Sequence, residues 1–359
     1  MTEPQELLEI RSLAREFAAA ELRPHVERWD AERTVDDDVA GKIAELGFFG
    51  MLVPESAGGM GFDPATYVAA LEELAWGEAG IALLVAQSVI AADLLSRYGG
   101  SAHADVLAGL AAGEQIGCIA FAEDDEAEPA RASAADRGWT FSGRKRWVTN
   151  ATKADIAIVQ AHVDDDAALF VLPRADGFVV GDRAATMGLR TVPVVDLLLD
   201  GVTAPADARL RWRGTDPRSA IDPLGGLSAA AIAVGVAQAA LDHAVQYANV
   251  REQFGRPIRS FEGIQHKLAE MATRTTAARA LVARAAELHD DPAAVAMAKL
   301  AAGSCAMYVT TEAVQIFGGY GYMRDYPVEK LMRDAKAMEM LHGTNEQQRL
   351  RIAEALYAD

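Results

Sequence analysis

The chain has 359 residues, 51% of them hydrophobic and 24% charged, which predicts a soluble globular protein of about two to three domains. Its 34 basic and 52 acidic residues give a formal charge of −18, so it is not expected to bind nucleic acid, whose phosphates it would repel. The two cysteines, Cys118 and Cys305, form no CxxC pair, so neither a disulfide framework nor a zinc site is expected and a cytoplasmic location is favoured.

Membrane insertion and metal binding are not expected either. The most apolar stretch, 228–241, is shorter than the roughly 20 residues of a bilayer span and predicts a buried helix. The first residues are polar and acidic, unlike a secretory signal. The seven histidines show no metal-ligand spacing.

The first third of the chain predicts helices. One runs from Glu6 to about Glu32, because its apolar residues recur at intervals of three and four, and Pro24 is expected to kink or end it. The segment 46–62, with glycines at 58–61, is expected to separate a second helix from a third at about 64–76, and another helix is predicted at about 80–98.

The middle and last parts of the chain predict different structures. Between 117 and 210, short runs rich in β-branched residues at 156–159, 170–172, 178–180 and 192–199 predict a compact antiparallel sheet domain. From 222 onward, long alanine-rich helices are predicted, with breaks at 255–257, 290–292 and 318–327. The fold class is therefore mainly α with a central β domain, and the domains are 1–116, 117–212 and 213–359.

Three local patterns suggest chemistry, and each has a plainer explanation. The QIFGGYGY run at 315–322 ends a helix in glycines that permit close approach of a ligand, or simply stop the helix. Trp147 and Thr149 place an indole beside a hydroxyl, as a flavin ring requires, or form part of a core. Arg251 is suited to a pyrophosphate or to a surface ion pair.

Taken in order, these and other motifs resemble the acyl-CoA dehydrogenase family. The matching segments run along nearly the whole chain: 45–48, 53–55, 58–61, 143–150, 187–191, 251–258 and 315–336. The resemblance implies a helical N-terminal domain, a middle β domain and a C-terminal four-helix bundle, assembled as a tetramer with FAD at subunit interfaces. It also implies α,β-desaturation of an acyl-CoA thioester, with electrons passed to an acceptor flavoprotein.

The resemblance fails at the catalytic base. The family's commoner base is a Glu in a Glu-Gly-Thr segment, and here that segment is LHGTNE at 341–346, with His342 in place of the carboxylate. A minority of the family places the Glu at a position that aligns with Gly225 or Gly226. Either His342 acts as the base, since a histidine has a reference pKa of about 6.5, or it only fills the vacated site.

The segment that holds the flavin of the same subunit also departs from the family pattern. Its threonine is Ala122, its Gly-Ser pair is absent, and it carries extra carboxylates that disfavour a diphosphate: Asp124, Asp125, Glu126 and Glu128. The connection 211–227 has lost its glycine-rich approach to the bundle and the arginine that opens it.

Other residues that the family uses for FAD are retained. Those that hold the adenosine half of a neighbouring subunit's FAD are Arg251, Gln253, Phe254, Gln315, Gly318 and Gly319. Trp147, Thr149, Thr344 and Glu346 are further cofactor-binding candidates. The neighbouring Arg333 and Asp334 are expected to form an ion pair that anchors the last helices.

This asymmetry predicts the base-lacking subunit of an α2β2 enzyme, with FAD shared across a subunit interface. Such assemblies in the family act on fatty acyl or bulky steroid side-chain CoA thioesters. Two alternatives remain open. One is a self-sufficient homotetramer, either a dehydrogenase with His342 as base or a relative similar to a flavin monooxygenase. The other is a flavin-free scaffold. The acyl group and the choice between CoA and a carrier protein stay undetermined.

Overall fold

The structure is a computed structural model that describes residues 4–123, 129–214 and 216–357. The N-terminal domain is helical, as predicted. Its helices are α1 (Gln5–Phe17), α2 (Val26–Glu32), α3 (Val39–Glu45), α4 (Pro64–Gly77), α5 (Ala79–Tyr98) and α6 (Ala104–Ala112). Pro24 lies in a short 3-10 turn between α1 and α2, so the predicted first helix is interrupted there.

The middle domain contains two sheets. Its strands are β1 (Gly117–Ala120), β2 (Arg131–Ala135), β3 (Gly138–Ser142), β4 (Arg144–Thr149), β5 (Ile156–Val163), β6 (Asp166–Pro173), β7 (Val179–Arg183), β8 (Val194–Leu198) and β9 (Val202–Pro205). The larger sheet has the order β1-β5-β2-β3-β9, with β6 also paired to β5, and the smaller sheet has the order β4-β8-β7.

Most of these strand pairs are antiparallel, as predicted. The pairs β1–β5 and β2–β5 are parallel. A parallel pair needs a long connection, and the strands between β1 and β5 provide one. The strand runs in the sequence predict the strands themselves but give no information on the direction in which they pair.

The C-terminal domain is a helical bundle. Its elements are α7 (Arg218–Val250), the hairpin strands β10 (Glu252–Gln253) and β11 (Arg256–Pro257), α8 (Glu262–Glu287), α9 (Pro292–Phe317), α10 (Pro327–Met338) and α11 (Asn345–Leu356). By length and composition α5, α7 and α9 with the turn after it are apolar enough to cross a membrane. The most apolar windows of α5 and α7 are 89% buried inside the fold. Helix α7 is much longer than the predicted apolar stretch.

A fully buried ionic cluster joins the three domains. Lys330 Nζ on α10 lies 2.6 Å from Glu78 Oε1, which precedes α5, and 2.6 Å from Asp334 Oδ2. From the middle domain, the Thr191 hydroxyl donates to Glu78 at 3.1 Å and the Leu189 N–H donates to Asp334 at 2.6 Å. Burial alone would lower the pKa of Lys330, but the two carboxylates outweigh it and raise that pKa.

Arg333 and Asp334 do not pair with each other, contrary to the prediction. Consecutive residues of a helix point about 100° apart, so they reach different partners. Arg333 Nη2 lies 2.7 Å from Asp30 Oδ2 on α2, and Arg333 Nε lies 2.7 Å from Glu329 Oε2. The two residues therefore anchor α10 through separate ion pairs.

Replacing Lys330 is predicted to destabilise the protein strongly. Lys330→Met leaves Glu78 and Asp334 buried without their cation, which costs about 3–5 kcal/mol. The control Lys336→Met removes an exposed ion pair with Glu339, worth about 0–1 kcal/mol. Urea unfolding measures both free energies, and an equal effect of the two variants would contradict the role given to this cluster.

Candidate functional site

The two candidate base positions lie side by side. His342 follows α10 and has a left-handed backbone with φ of 52°. Its ring packs on Gly225 of α7, where an ideal Cβ would lie only 2.4 Å from His342 Nδ1. Any side chain at Gly225 would therefore collide with the imidazole. The structure thus brings together the two positions that the sequence analysis singled out separately.

The buried surroundings of His342 weaken it as a base. Burial, assisted by the positive charge of Lys299, lowers the pKa of His342 to about 4. In the neutral ring, His342 Nε2 lies 3.4 Å from Gln87 Nε2 and accepts a hydrogen bond from the Gln87 amide. Sequence reasoning missed Gln87 and Lys299, because only the folded chain brings α5 and α9 close to His342.

Lys299 is itself a buried cation, and no carboxylate of the described residues is in direct contact with it. Its Nζ donates to the carbonyl of Glu339 and to Asn345 Oδ1, both at 3.2 Å. Burial lowers the pKa of Lys299 to about 8. Because the ammonium is held by neutral oxygens, its charge acts on the nearby imidazole of His342 and opposes protonation there.

The candidate flavin contacts of the middle domain sit at the end of β4. Trp147 has a left-handed φ of 58° and is 56% exposed, which leaves its indole open to a ligand, whereas Thr149 is buried. Ala122, at the position of the expected threonine, lies against this strand, because its carbonyl accepts a hydrogen bond from the N–H of Arg146 at 2.9 Å. The predicted acidic residues that follow lie outside the described residues.

A separate cleft of about 550 Å³ contains the candidate adenosine-binding residues. It lies between the end of α7, the β10–β11 hairpin and the end of α9, and it is lined by Arg251, Gln253, Gly318 and Gly319 among others. A Cβ on either glycine would meet nothing within 4 Å, so the space above them is open. Phe254, at the hairpin tip, is 91% exposed.

Gln315 and the last two candidates lie outside this cleft. Gln315 is exposed on the final turn of α9 and caps that helix through its carbonyl, which accepts from the Gly318 N–H. Thr344 is the N-cap of α11, and its hydroxyl accepts from the Gln347 N–H at 3.2 Å. Glu346 is exposed and pairs with Arg349 at 3.4 Å.

The residues present fit the adenosine half of FAD. The cleft offers an arginine, an amide side chain and an open glycine backbone. Beside them the rings of Tyr247 and Phe317 are stacked, with their centroids 4.0 Å apart. Guanidinium groups bind diphosphates and flat rings stack on aromatic faces. On the flavin-ring side, Trp147 offers an open face while Ala122 offers no hydroxyl. His342 does not line the cleft at Arg251.

Comparisons with known proteins agree with this architecture. The family models described as acyl-CoA dehydrogenase N-terminal, middle and C-terminal domains match residues 4–114, 119–202 and 224–357. The chain is 37% identical to an acyl-CoA dehydrogenase of Bacillus subtilis over 98% of each chain. It is 35% identical to the short-chain specific mitochondrial acyl-CoA dehydrogenase of Bos taurus, over 96% of this chain and 88% of that protein.

Solved structures show the same fold. Butyryl-CoA dehydrogenase from Megasphaera elsdenii has a TM-score of 0.96 and 33% identity, with both chains fully covered. Glutaryl-CoA dehydrogenase from Mycobacterium smegmatis in complex with FADH2 has a TM-score of 0.94 and 26% identity, over 99% of this chain and 95% of that one. The predicted fold class is confirmed. The chain belongs to the acyl-CoA dehydrogenase family, whose members are FAD flavoprotein oxidoreductases.

Proposed function

We propose that this chain is the base-lacking subunit of a heteromeric acyl-CoA dehydrogenase, in which a homologous subunit supplies the carboxylate. The observation that carries this proposal is the environment of His342, whose pKa is lowered to about 4 by burial. Removal of an α proton needs a base whose pKa is matched to the task. The imidazole would become a cation on accepting the α proton, which burial and the positive charge of Lys299 disfavour, whereas a carboxylate would become neutral.

The second base position supports the same proposal. A carboxylate on Gly225 is blocked by the His342 ring, since even a Cβ there would lie 2.4 Å from Nδ1. A Cβ on Gly226 would lie 2.7 Å from Val295 Cγ1, so that position is also crowded. Neither position has room for a carboxylate without movement of its neighbours.

The open cleft argues for a contribution to a shared cofactor site. When bound, FAD supplies the acceptor for the hydride that leaves the β carbon of the acyl group. In this proposal Arg251 and Gln253 hold the adenosine diphosphate end of a cofactor whose ring lies in the partner subunit. Trp147 and Thr149 then line the weaker half-site of this chain. The named relatives act on short-chain, butyryl and glutaryl thioesters, so an acyl-CoA is the proposed substrate.

The second candidate function is a self-sufficient homotetramer with a complete FAD in every chain. The exposed face of Trp147 favours it, because a vacated flavin site has no need of an open indole. The two functions predict different cofactor contents, and purification of the chain distinguishes them.

The proposal predicts a colourless or weakly loaded protein when the chain is purified alone. Coexpression with a homologue that keeps the Glu-Gly-Thr segment is expected to give a yellow α2β2 tetramer with two FAD. Absorbance at the flavin band, set against protein concentration, counts the cofactor. A full complement of FAD in the lone chain would support the homotetramer instead.

Within the coexpressed tetramer, Arg251→Ala is predicted to weaken FAD binding about 10- to 100-fold, because hydrogen bonds to charged groups contribute about 1.5–3 kcal/mol. The matched control is Arg259→Ala, an exposed arginine just beyond the hairpin that does not line the cleft. Equal retention of FAD by the two variants during dialysis would rule out a role for Arg251.

The lowered pKa of His342 predicts a specific pH dependence of stability. In the unfolded chain His342 binds a proton as the pH falls below about 6.5, whereas in the folded chain it does so only near pH 4. Wild-type stability therefore falls across this window by at most about 3 kcal/mol on account of His342. His342→Gln lacks this loss, so its unfolding free energy relative to wild type rises as the pH falls from 7 to 4.

The control for this titration is His266→Gln, which removes an exposed imidazole on α8. Urea unfolding at several pH values measures all three proteins. Other groups that titrate in the window contribute equally to each protein and cancel in the differences. Parallel curves for wild type and His342→Gln would show that His342 is not held neutral by its surroundings.

A further inference from the structure

Two arginines at the junction of the N-terminal and middle domains lack an acidic partner among the described residues. Arg33 ends α2 with a left-handed φ of 60°, and Arg183 is the last residue of β7. Within the described ranges, neither has a carboxylate within salt-bridge distance. The chain has 52 acidic and only 34 basic residues, so unpaired arginines are not forced by a shortage of carboxylates.

Backbone carbonyls hold these two side chains next to each other. Arg33 Nη2 donates to the carbonyl of Ala184 at 3.1 Å. In return, Arg183 donates from Nη1 to the carbonyl of Arg33 and from Nη2 to the carbonyl of Arg190. The guanidinium groups are thus placed by main-chain atoms that carry no net charge. A third arginine, Arg190, adjoins them.

Acidic side chains of α2 and of the segment after it are engaged mainly by arginines outside this group. Asp30 is 2.7 Å from Arg333, and its contact with Arg190 is longer, at 3.4 Å. Glu32 and Asp36, which flank Arg33 in the sequence, both pair with Arg28. Asp30 therefore partly neutralises Arg190, whereas Arg33 and Arg183 have no carboxylate within salt-bridge distance in the described part of the chain.

The cluster retains unused hydrogen-bond donors. A guanidinium has five N–H donors, and the bonds above use one from Arg33 and two from Arg183. Arg33 Nε is buried and has no hydrogen-bond partner within the described ranges. Burial lowers the pKa of Arg183, and the charges of Arg33 and Arg190 lower it further. A bound anion would satisfy the donors and relieve the repulsion.

We propose that Arg33, Arg183 and Arg190 form a binding site for a phosphate group. The paired N–H donors of guanidinium match phosphate oxygens, and several arginines together suit a dianion. The phosphate is either free in solution or the 3′-phosphate of a CoA. This site does not depend on the subunit role proposed above, since it lies within one chain and uses neither His342 nor the cleft at Arg251.

The site lies near the candidate flavin strand. Arg183 is in register with Val195 of β8, which in turn pairs with Val148 of β4. Neighbouring strands lie roughly 4.8 Å apart, so the backbone of Arg183 is roughly 10 Å from that of Val148. A ligand that extends roughly 10 Å from this strand would therefore reach the cluster.

Calorimetric titration of the purified full chain, with its partner subunit if the two copurify, tests this site at low ionic strength. The probes are inorganic phosphate, CoA and dephospho-CoA. We expect one phosphate per chain, displaced by CoA. A tenfold preference for CoA over dephospho-CoA assigns the site to the 3′-phosphate, and equal affinities assign it to free phosphate. No binding of phosphate or CoA at millimolar concentration overturns the proposal.

Variants separate binding from folding. Arg183→Gln is expected to weaken phosphate or CoA binding at least tenfold. Because Arg183 also holds two carbonyls, Arg33→Lys serves as a second variant that keeps the charge and loses the fork, with an expected loss of at least threefold. The control Arg131→Gln removes an exposed arginine that donates to the carbonyl of Asp164. Unchanged affinity in folded Arg183→Gln and Arg33→Lys proteins overturns the proposal.

Discussion

The arrangement of the three domains depends on one buried cation. Lys330 neutralises Glu78 from the N-terminal domain and Asp334 from its own helix, and both carboxylates also accept hydrogen bonds from the middle domain. Charges removed from water are tolerated only when their partners are complete. The cluster therefore fixes α10, and with it the segment that carries His342, relative to the other two domains.

From this framework the candidate site divides into two unlike halves. At one end, His342 fills the space beside Gly225 and is kept neutral by burial and by Lys299. At the other, the cleft at Arg251 is open above two glycines. One half has thus lost the features that removal of a proton needs, while the other keeps those that a dinucleotide needs. The proposed division of labour between two subunits follows from that contrast.

The sequence predicts much of the fold because its signals are local. Helical spacing and breaks at glycine and proline predict α4, α5 and the bundle helices closely. The parallel pairing of β1 with β5 and the partners of Arg333 depend on contacts between distant segments, which periodicity does not encode. At the site, motifs predict His342 and Arg251. Gln87 stands on a helix whose apolar pattern gives it no special place.

The central claim is that His342 takes no proton from the substrate, and the acyl-CoA oxidation rate of a His342→Asn protein tests it most directly. The assay uses the assembly as purified, over pH 5 to 9, with wild type beside it. The account predicts a rate within about twofold of wild type at every pH, since a neighbouring carboxylate performs that step. A hundredfold or greater loss of rate in a folded, FAD-containing variant would contradict it.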